Sequence, residues 1–291
     1  MRNPIETLLT DTVISRIKAE DPRSQEILAK LVKHLHAFIK DVEPTEAEWF
    51  KAIDFLTRTG QKCDNKRQEF ILFSDVLGAS MLVDAINHRA HGDSTATTVT
   101  GPFHAAARVY KLGDNIARGK EAQRGEPTVV SGKVLDTKGR PLSNATIDVW
   151  QSDDIGYYDV QDVNQPEMNL RGIFKTNESG EFWFRTIKPA AYPIPTDGPV
   201  GELLRASGRD AMRPAHIHFW IKSDGYKDLI THLFVAGDKY LDSDAVFGVK
   251  ESLILNFEKN MSPVEASKWK VSAPFYHVQY DFKLERKDGQ Q

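Results

Sequence analysis

The sequence predicts an α+β protein, with an N-terminal helical domain followed by a mainly antiparallel β-sandwich. Two observations carry this prediction. Apolar residues recur at helical spacing through the first hundred residues, whereas short alternating segments separated by turn residues dominate from about residue 126. We place the helical domain at residues 1–100 and the β-sandwich domain at residues 101–291, with a linker at about 101–126.

Four helices are predicted in the first domain. The first is amphipathic, and the second begins where Asp21 precedes Pro22, a helix cap followed by proline at the first helical position. Thr45 and Glu48 have the spacing of a capping box and open the third helix. The fourth, from about Arg67 to His88, is apolar over much of its circumference, which indicates burial or an interface.

The second half contains short segments rich in β-branched and aromatic residues. They are TVVSGKVLD, ATIDVWQSD, GEFWFRTI, HIHFWIKSD, LITHLFVAG and FYHVQYDFKL. Turn residues such as NESG and SDGYKD separate them, and this pattern is typical of a β-sandwich or barrel.

Composition excludes several classes of protein. A net charge of −3 argues against a dedicated nucleic-acid binder, which would show a basic excess. The single cysteine, Cys63, cannot form a disulfide within the chain, and this favours a reducing compartment. The first twenty residues lack the continuous apolar core of a signal peptide, and no stretch approaches the roughly 20 apolar residues of a spanning helix. We therefore expect a cytoplasmic protein without a membrane span.

The stretch RPAHIHFWI, residues 213–221, places two histidines in an apolar strand. Alternate side chains share a face, so His216 and His218 point the same way. They are either buried histidines bonded to the backbone or metal ligands. No cysteine lies near and no H-E-x-x-H is present, which disfavours zinc sites of those kinds. An iron(II) site completed by Asp210 or Asp224 stays open.

Three tyrosines N-terminal to this strand lie in two unusual sequence contexts. Tyr157 and Tyr158 come just after a glycine, and Tyr192 lies in AAYPIPTDGPVG, a loop made rigid by prolines. A deprotonated phenol is a hard anionic donor that suits a hard cation such as iron(III). Each tyrosine taken alone is better explained as a packing residue.

Taken together, these motifs resemble the intradiol ring-cleaving dioxygenases. Trp150, Gly156 and Tyr158 form W-x5-G-x-Y, and the Tyr192 loop and R-P-A-H-x-H follow in the family's order. The helical half resembles the N-terminal region of the catechol 1,2-dioxygenase branch. The segments AYPIPTDGPVG and GDKYLDSDAVFGVK are most similar to the hydroxyquinol 1,2-dioxygenases, which act on 1,2,4-trihydroxybenzene.

The resemblance implies one non-haem Fe(III) per subunit, held by Tyr158, Tyr192, His216 and His218. Tyr192 is the ligand expected to leave when substrate binds, and Arg213 is expected to steady anionic character in the ring. The implied reaction opens hydroxyquinol between adjacent hydroxyl-bearing carbons with both atoms of O2. It gives 3-hydroxy-cis,cis-muconate or maleylacetate, a step in the catabolism of aromatic compounds.

The resemblance also implies a substrate pocket built from the fourth helix, the linker and the tyrosine loop. Its residues would be Leu72, Asp75, Val99, Gly101, Pro102, Phe103, Ile194, Pro195, Arg213 and Val246. Asp75 is expected to accept a hydrogen bond from the third hydroxyl, which would disfavour catechol. A structural role for this acid is the alternative. Thr100 is smaller than the residue expected in this branch, and His232 replaces a glutamine of catechol-type members.

The resemblance further implies a homodimer formed through the N-terminal helices, with a phospholipid bound between them. A helical cap on the β domain would fit the same apolar helices. Three other functions remain open: a catechol or chlorocatechol 1,2-dioxygenase, a transthyretin-like β-sandwich binding module, and a zinc hydrolase that uses His216 and His218.

Overall fold

The computed structural model describes residues 6–64, 67–89 and 93–287. The chain divides into two compact units, Met1–Arg58 and Thr59–Gln291. Helices come first and a sheet-rich region follows, so the predicted fold class is confirmed. The domain boundary at residue 100 stays a prediction. Within the described ranges, no helix combines the length and the apolar character needed to cross a membrane.

The secondary structure of the described residues consists mainly of eight α-helices and twelve strands. The helices are α1 (Glu6–Arg16), α2 (Pro22–Val42), α3 (Glu46–Gln61), α4 (Glu69–Val76), α5 (Ala79–Asn87), α6 (Glu121–Arg124), α7 (Pro199–Ala206) and α8 (Pro263–Trp269). The strands are β1 (Pro127–Asp136), β2 (Thr146–Gln151), β3 (Arg171–Lys175), β4 (Glu181–Ile187), β5 (Tyr192–Pro193), β6 (Met212–Arg213), β7 (His216–Lys222), β8 (Leu229–Val235), β9 (Ile254–Leu255), β10 (Glu258–Asn260), β11 (Phe275–Gln279) and β12 (Phe282–Leu284).

The predicted helix caps in the first unit are confirmed. The Asp21 carboxylate accepts hydrogen bonds from the backbone N–H groups of Arg23 and Ser24, and Pro22 opens α2. At α3, the Thr45 N–H donates to the Glu48 carboxylate at 2.8 Å, and the Glu48 N–H donates to Thr45 Oγ1 at 3.3 Å. Local hydrogen bonds therefore fix where both helices begin.

The prediction of one continuous fourth helix is wrong. The segment divides into α4 and α5 at Gly78, whose φ of 71° lies in the left-handed region. A right-handed helix cannot continue through that conformation, and glycine adopts it without steric cost. The break gives α4 and α5 separate directions, and each supplies part of a cavity wall described below.

Two five-stranded sheets form the β region. One has the order β10-β11-β1-β12, with β4 also paired to β1, and the other has the order β3-β2-β7-β8-β9. Most pairs are antiparallel, while β1–β11, β1–β12 and β8–β9 are parallel. Side chains from both sheets, including Val130, Val149, Ile217 and Phe219, share one buried core. The molecule thus contains the expected sandwich. The face of β7 that points away from this core carries a different set of side chains, described below.

Candidate active site

Strand β7 places His216 and His218 on the face opposite the core. Ile217 and Phe219 alternate with them and pack inward, as the period of two in a strand requires. Both histidines are fully buried. In the register of β2 and β7, Trp150 lies directly opposite His218. The indole stacks on this imidazole with ring centroids 4.6 Å apart, which fixes the plane of the ring.

Four side chains that are distant in sequence meet at this face. Tyr158 Oη lies 3.2 Å from Tyr192 Oη and 3.1 Å from His218 Nε2. His218 Nε2 in turn lies 3.1 Å from His216 Nε2. The structure therefore brings together all four residues that the sequence predicts as metal ligands. The neighbouring Tyr157 is 49% exposed and takes no part in these contacts.

The two imidazoles present nitrogen lone pairs to this group. His216 Nδ1 lies 2.7 Å from the Pro214 carbonyl. A carbonyl only accepts, so Nδ1 carries the proton and Nε2 is free to bind a cation. Burial, assisted by Arg213, lowers the pKa of His216 to about 3. Burial lowers the pKa of His218 well below its usual value. Both rings are therefore neutral, which is the form that binds metals.

The two phenols need a cation in order to ionise. Burial raises the pKa of Tyr158, and the neighbouring Tyr192 raises it further. Burial also raises the pKa of Tyr192, although the Arg213 guanidinium opposes this. At neutral pH both groups stay protonated unless a bound cation favours the phenolate.

The donor set fits a single metal ion. Ligand atoms bound to one ion at about 2 Å each lie about 3 Å from one another. The three contacts of 3.1–3.2 Å match that separation. Two phenol oxygens and two imidazole nitrogens also form a donor set suited to a hard cation.

His232, which the sequence analysis did not predict as a ligand, completes a group of three histidines with His216 and His218. It lies directly opposite His218 in the register of β7 and β8, and their ring centroids are 4.2 Å apart. The ligand atoms of the three histidines lie within 4.8 Å of one another. Asp210 and Asp224 are exposed and lie outside this group, so the iron(II) site built on either acid is wrong.

Arg213 borders the donor group and is only 2% exposed. Its Nη1 lies 3.4 Å from His216 Nε2, and its Nε donates to Asp244 Oδ1 at 3.0 Å. Burial would raise the pKa of Asp244, but Arg213 holds it below its usual value. Asp244 also accepts from the N–H of Gly248 at 2.9 Å. Arg213 is thus a buried, oriented cation and not a surface salt bridge.

The side chains predicted to contact substrate fall into two buried clusters. Leu72, Ile194 and Val246 belong to one cluster, and Val99 packs against it. Phe103 belongs to the other and stacks on Tyr158 at a centroid distance of 4.6 Å. Two further predicted contacts, Pro102 and Pro195, are half-buried and lie next to Phe103 and Ile194 in the sequence.

A cavity of about 560 Å³ lies beside these clusters, and Asp75, Val99 and Gly101 are part of its lining. A Cβ atom added to Gly101 would lie 3.5 Å from His218 Cε1, so this wall reaches the histidines. Asp75 is 3% exposed. Burial raises the pKa of this carboxyl, while a hydrogen bond from Ser80 and the charge of Arg213 oppose the increase.

Comparison with known proteins identifies the family. The family model described as dioxygenase matches residues 99–286, and the model described as catechol dioxygenase N terminus matches residues 21–95. A hydroxyquinol 1,2-dioxygenase of Rhizobium sp. (strain MTP-10005) is 50% identical over 97% of this chain and 96% of its own length. A 6-chlorohydroxyquinol 1,2-dioxygenase of Cupriavidus pinatubonensis is 54% identical over 84% of this chain and 89% of its own length.

A solved structure gives the same result at the level of the fold. Hydroxyquinol 1,2-dioxygenase from Pseudomonas putida DLL-E4 superposes with a TM-score of 0.90 at 49% identity, covering 97% of this chain and 99% of that one. The paired histidines, the two tyrosines and this likeness over nearly the whole chain lead to one conclusion. The chain belongs to the dioxygenase family and is an intradiol ring-cleavage enzyme.

Proposed function

We propose that this enzyme cleaves the ring of hydroxyquinol, 1,2,4-trihydroxybenzene, between adjacent hydroxyl-bearing carbons. Both atoms of O2 would enter the product, 3-hydroxy-cis,cis-muconate, or its tautomer maleylacetate. One observation carries the proposal: a four-donor group lies behind Gly101, which lines a cavity whose wall also buries the acid Asp75. The relatives named as hydroxyquinol dioxygenases support the same substrate.

The metal we propose is one Fe(III) per subunit, held by Tyr158, Tyr192, His216 and His218. Two phenolates and one further anion balance three positive charges, so the buried centre would carry no uncompensated charge. When bound, the ferric ion would act as a Lewis acid that ionises a catecholic diol. It would also accept electron density from the ring and so make the ring reactive toward O2.

Tyr192 is the residue we propose as the proton acceptor for the substrate. Its Oη lies at one end of the chain of contacts, bonded to Tyr158 Oη. Its loop is anchored by backbone pairing with Arg213. Burial raises the pKa of Tyr192 although Arg213 opposes the increase. A phenolate of raised pKa, once outside the donor group, would take a hydroxyl proton from the incoming diol.

Arg213 is the residue we propose to stabilise negative charge on the reacting ring. Asp244 holds Nε and Nη2, which leaves Nη1 directed toward His216 Nε2 and the space beside it. An oriented cation in a buried site acts strongly, because little solvent screens it and no reorganisation is needed.

Asp75 is the residue we propose for recognition of the third hydroxyl. Its carboxylate is buried in the cavity wall, close to Arg213 and Ser80. A carboxylate can accept more than one hydrogen bond; Ser80 donates one, and the hydroxyl at position 4 of hydroxyquinol would donate another. Leu72, Val99 and Ile194 supply the apolar contacts to the ring.

The N-terminal helices support a proposed homodimer with phospholipid at its interface. Helices α1 and α2 contain no buried residue. A stripe of large apolar side chains on α2 is between 41% and 61% exposed: Ile27, Leu28, Leu31, Leu35, Phe38, Ile39 and Val42. An apolar surface of this kind is normally covered by a partner or a lipid. The lone Cys63, a free thiol, supports a cytoplasmic location.

Oxygen uptake and visible spectroscopy test the proposed reaction. We expect the purified protein to be red from phenolate-to-iron charge transfer and to consume O2 and hydroxyquinol in equal amounts. Catechol at the same concentration should react more slowly. A colourless, zinc-loaded protein that leaves hydroxyquinol intact would contradict the proposal. Faster turnover of catechol would assign the enzyme to the catechol 1,2-dioxygenases instead.

A further inference from the structure

Glu69 is a fully buried acid that the proposed chemistry does not use. It is the first residue of α4, and its carboxylate accepts a hydrogen bond from Arg67 Nε at 2.8 Å. The same carboxylate accepts from the backbone N–H of Val200 at 3.2 Å. Val200 lies in the first turn of α7, so one side chain joins two helices that are about 130 residues apart in the chain.

The contact between Glu69 and the start of α7 requires glycine at position 198. A Cβ atom at this position would lie 2.4 Å from Glu69 Oε1. The φ of Gly198 is −131°, a value open to any residue, so the close approach and not the backbone conformation requires glycine. Gly198 is the N-cap of α7 and offers no capping side chain. Glu69 supplies the missing acceptor and a negative charge at the positive end of the helix.

Helix α4 forms part of the proposed substrate pocket, and α7 packs against α4 on the side away from the cavity lining. Helix α4 carries Leu72 and Asp75, and α7 carries Val200 and Leu204. Leu72, Val200 and Leu204 pack in one buried cluster with Ile194. The position of α7 relative to α4 therefore affects where Leu72 and Ile194 lie, and with them the wall against which the apolar edge of the substrate would lie.

The chain between Tyr192 and α7 is held at its Tyr192 end by separate backbone contacts. Tyr192 pairs with Arg213 in the short β5–β6 ladder, and the Ile194 N–H donates to the Ala211 carbonyl at 2.9 Å. Loss of the Glu69 contact would therefore displace the α4–α7 wall while Tyr192 stays in place.

We propose that Glu69 is a positioning residue for substrate selection, which clamps α4 to the start of α7 and thereby sets the width of the hydroxyquinol pocket. This inference rests on the proposed function of the site. It assigns to Glu69 no contact with substrate or metal. Its effect should appear in substrate binding and in the preference for hydroxyquinol over catechol.

Glu69→Ala in the iron-loaded enzyme tests the clamp. We expect the KM for hydroxyquinol to rise by about tenfold while kcat falls by less than about threefold, because uniform binding is lost and the reacting groups stay in place. The preference for hydroxyquinol over catechol should fall by about tenfold. Anaerobic titration with hydroxyquinol, followed by the shift of the visible band, should show the same weakening without turnover. Iron content and the band of the resting enzyme should not change.

Gly198→Ala should disrupt the same contact, because the added methyl group would occupy the space of the Glu69 carboxylate. It should reproduce the effect of Glu69→Ala, and the double variant should be no worse than either single variant, since both remove one interaction. Asp197→Ala is the matched control. Asp197 is paired with Arg67 and Lys62, but its side chain is 63% exposed, and we expect its KM to change by less than about twofold. If Glu69→Ala does not fold, Glu69→Gln keeps the size and one acceptor and should give a smaller change of the same kind.

Three results would overturn the inference. One is an unchanged KM and preference in both Glu69→Ala and Gly198→Ala. Another is additive effects in the double variant. The third is loss of iron and of activity toward both substrates together, which would indicate general disruption of the site. Failure of the wild-type enzyme to cleave hydroxyquinol would instead reject the proposed function. In that case the anaerobic titration and the double-variant comparison still measure whether Glu69 and Gly198 act as one unit.

Discussion

At the scale of single residues, the site depends on one buried ion pair. Arg213 and Asp244 are both almost completely removed from solvent, and their side chains meet in two contacts of 3.0 and 3.3 Å. Removing one member leaves an uncompensated charge in the interior, which costs about 3–5 kcal/mol of folding free energy. Any substitution here therefore affects stability as well as chemistry.

Arg213→Ala should lower kcat by about a hundredfold or more, the usual effect of removing a preorganised electrostatic group. Iron content should stay normal, because the four donors remain. Arg213→Met combined with Asp244→Asn should recover stability, since no charge is left unpaired, but not turnover. The measurements are kcat, iron content and thermal unfolding. Near-wild-type kcat in Arg213→Ala would reject a catalytic role for the guanidinium.

Asp75→Asn should lower the preference for hydroxyquinol over catechol by about tenfold to a hundredfold, the value of a hydrogen bond to a charged acceptor. In the wild type the preference should also depend on pH. Burial raises the pKa of Asp75, so the carboxylate is lost, and the preference with it, as the pH falls through that raised pKa. Ratios of kcat/KM for the two substrates against pH measure this. A pH profile of the preference that Asp75→Asn leaves unchanged would contradict the assignment.

The residues that the sequence predicts and those it misses differ for a physical reason. His216 and His218 lie two positions apart in one strand, so local periodicity places them together. His232 and Asp244 reach the site from a neighbouring strand and a loop. The local sequence THLFV does not show that the strand of His232 pairs with the strand of His218. The local sequence LDSDAV does not show that Asp244 lies near the Arg213 guanidinium. The signal that could have found His232 is its position in an alternating strand, on the face opposite the core residues Leu229 and Leu233.

At the scale of elements, local rules predict the helix starts and most long strands. Asp21 and Thr45 cap helices as expected, because capping depends only on residues within one turn. The prediction of one long fourth helix fails at Gly78, and the predicted last strand divides into β11 and β12 around Tyr280. Apolar periodicity continues across both breaks, so hydrophobicity alone does not reveal them. The very short strands β5, β6 and β9 exist only through their partners, and no local pattern marks them.

At the scale of the whole molecule, the first unit exposes the apolar stripe of α2. Its two N-terminal helices bury no side chain, and the energy of an amphipathic helix comes mostly from covering its apolar face. The helical spacing of the apolar residues in α2 predicts the stripe from sequence, whereas what would cover it cannot be read from local spacing.

Leu31→Glu combined with Leu35→Glu should convert the proposed homodimer to monomer, because two charges would be buried at the interface. Sedimentation velocity measures the change, and phosphorus in a chloroform extract measures any bound phospholipid, which should fall in parallel. Lys33→Glu, an exposed position between them on another side of the helix, is the control and should remain dimeric. A monomeric wild type would remove the dimer from the proposal.

The four donor atoms come from chain segments that only the folded β region brings together, since Tyr158 and His218 are 60 residues apart. An ion held by all of them would act as a cross-link that closes long loops, and its binding energy would add to the energy of folding. The red colour of such a protein would then report the folded fraction directly, and chelators would behave as denaturants.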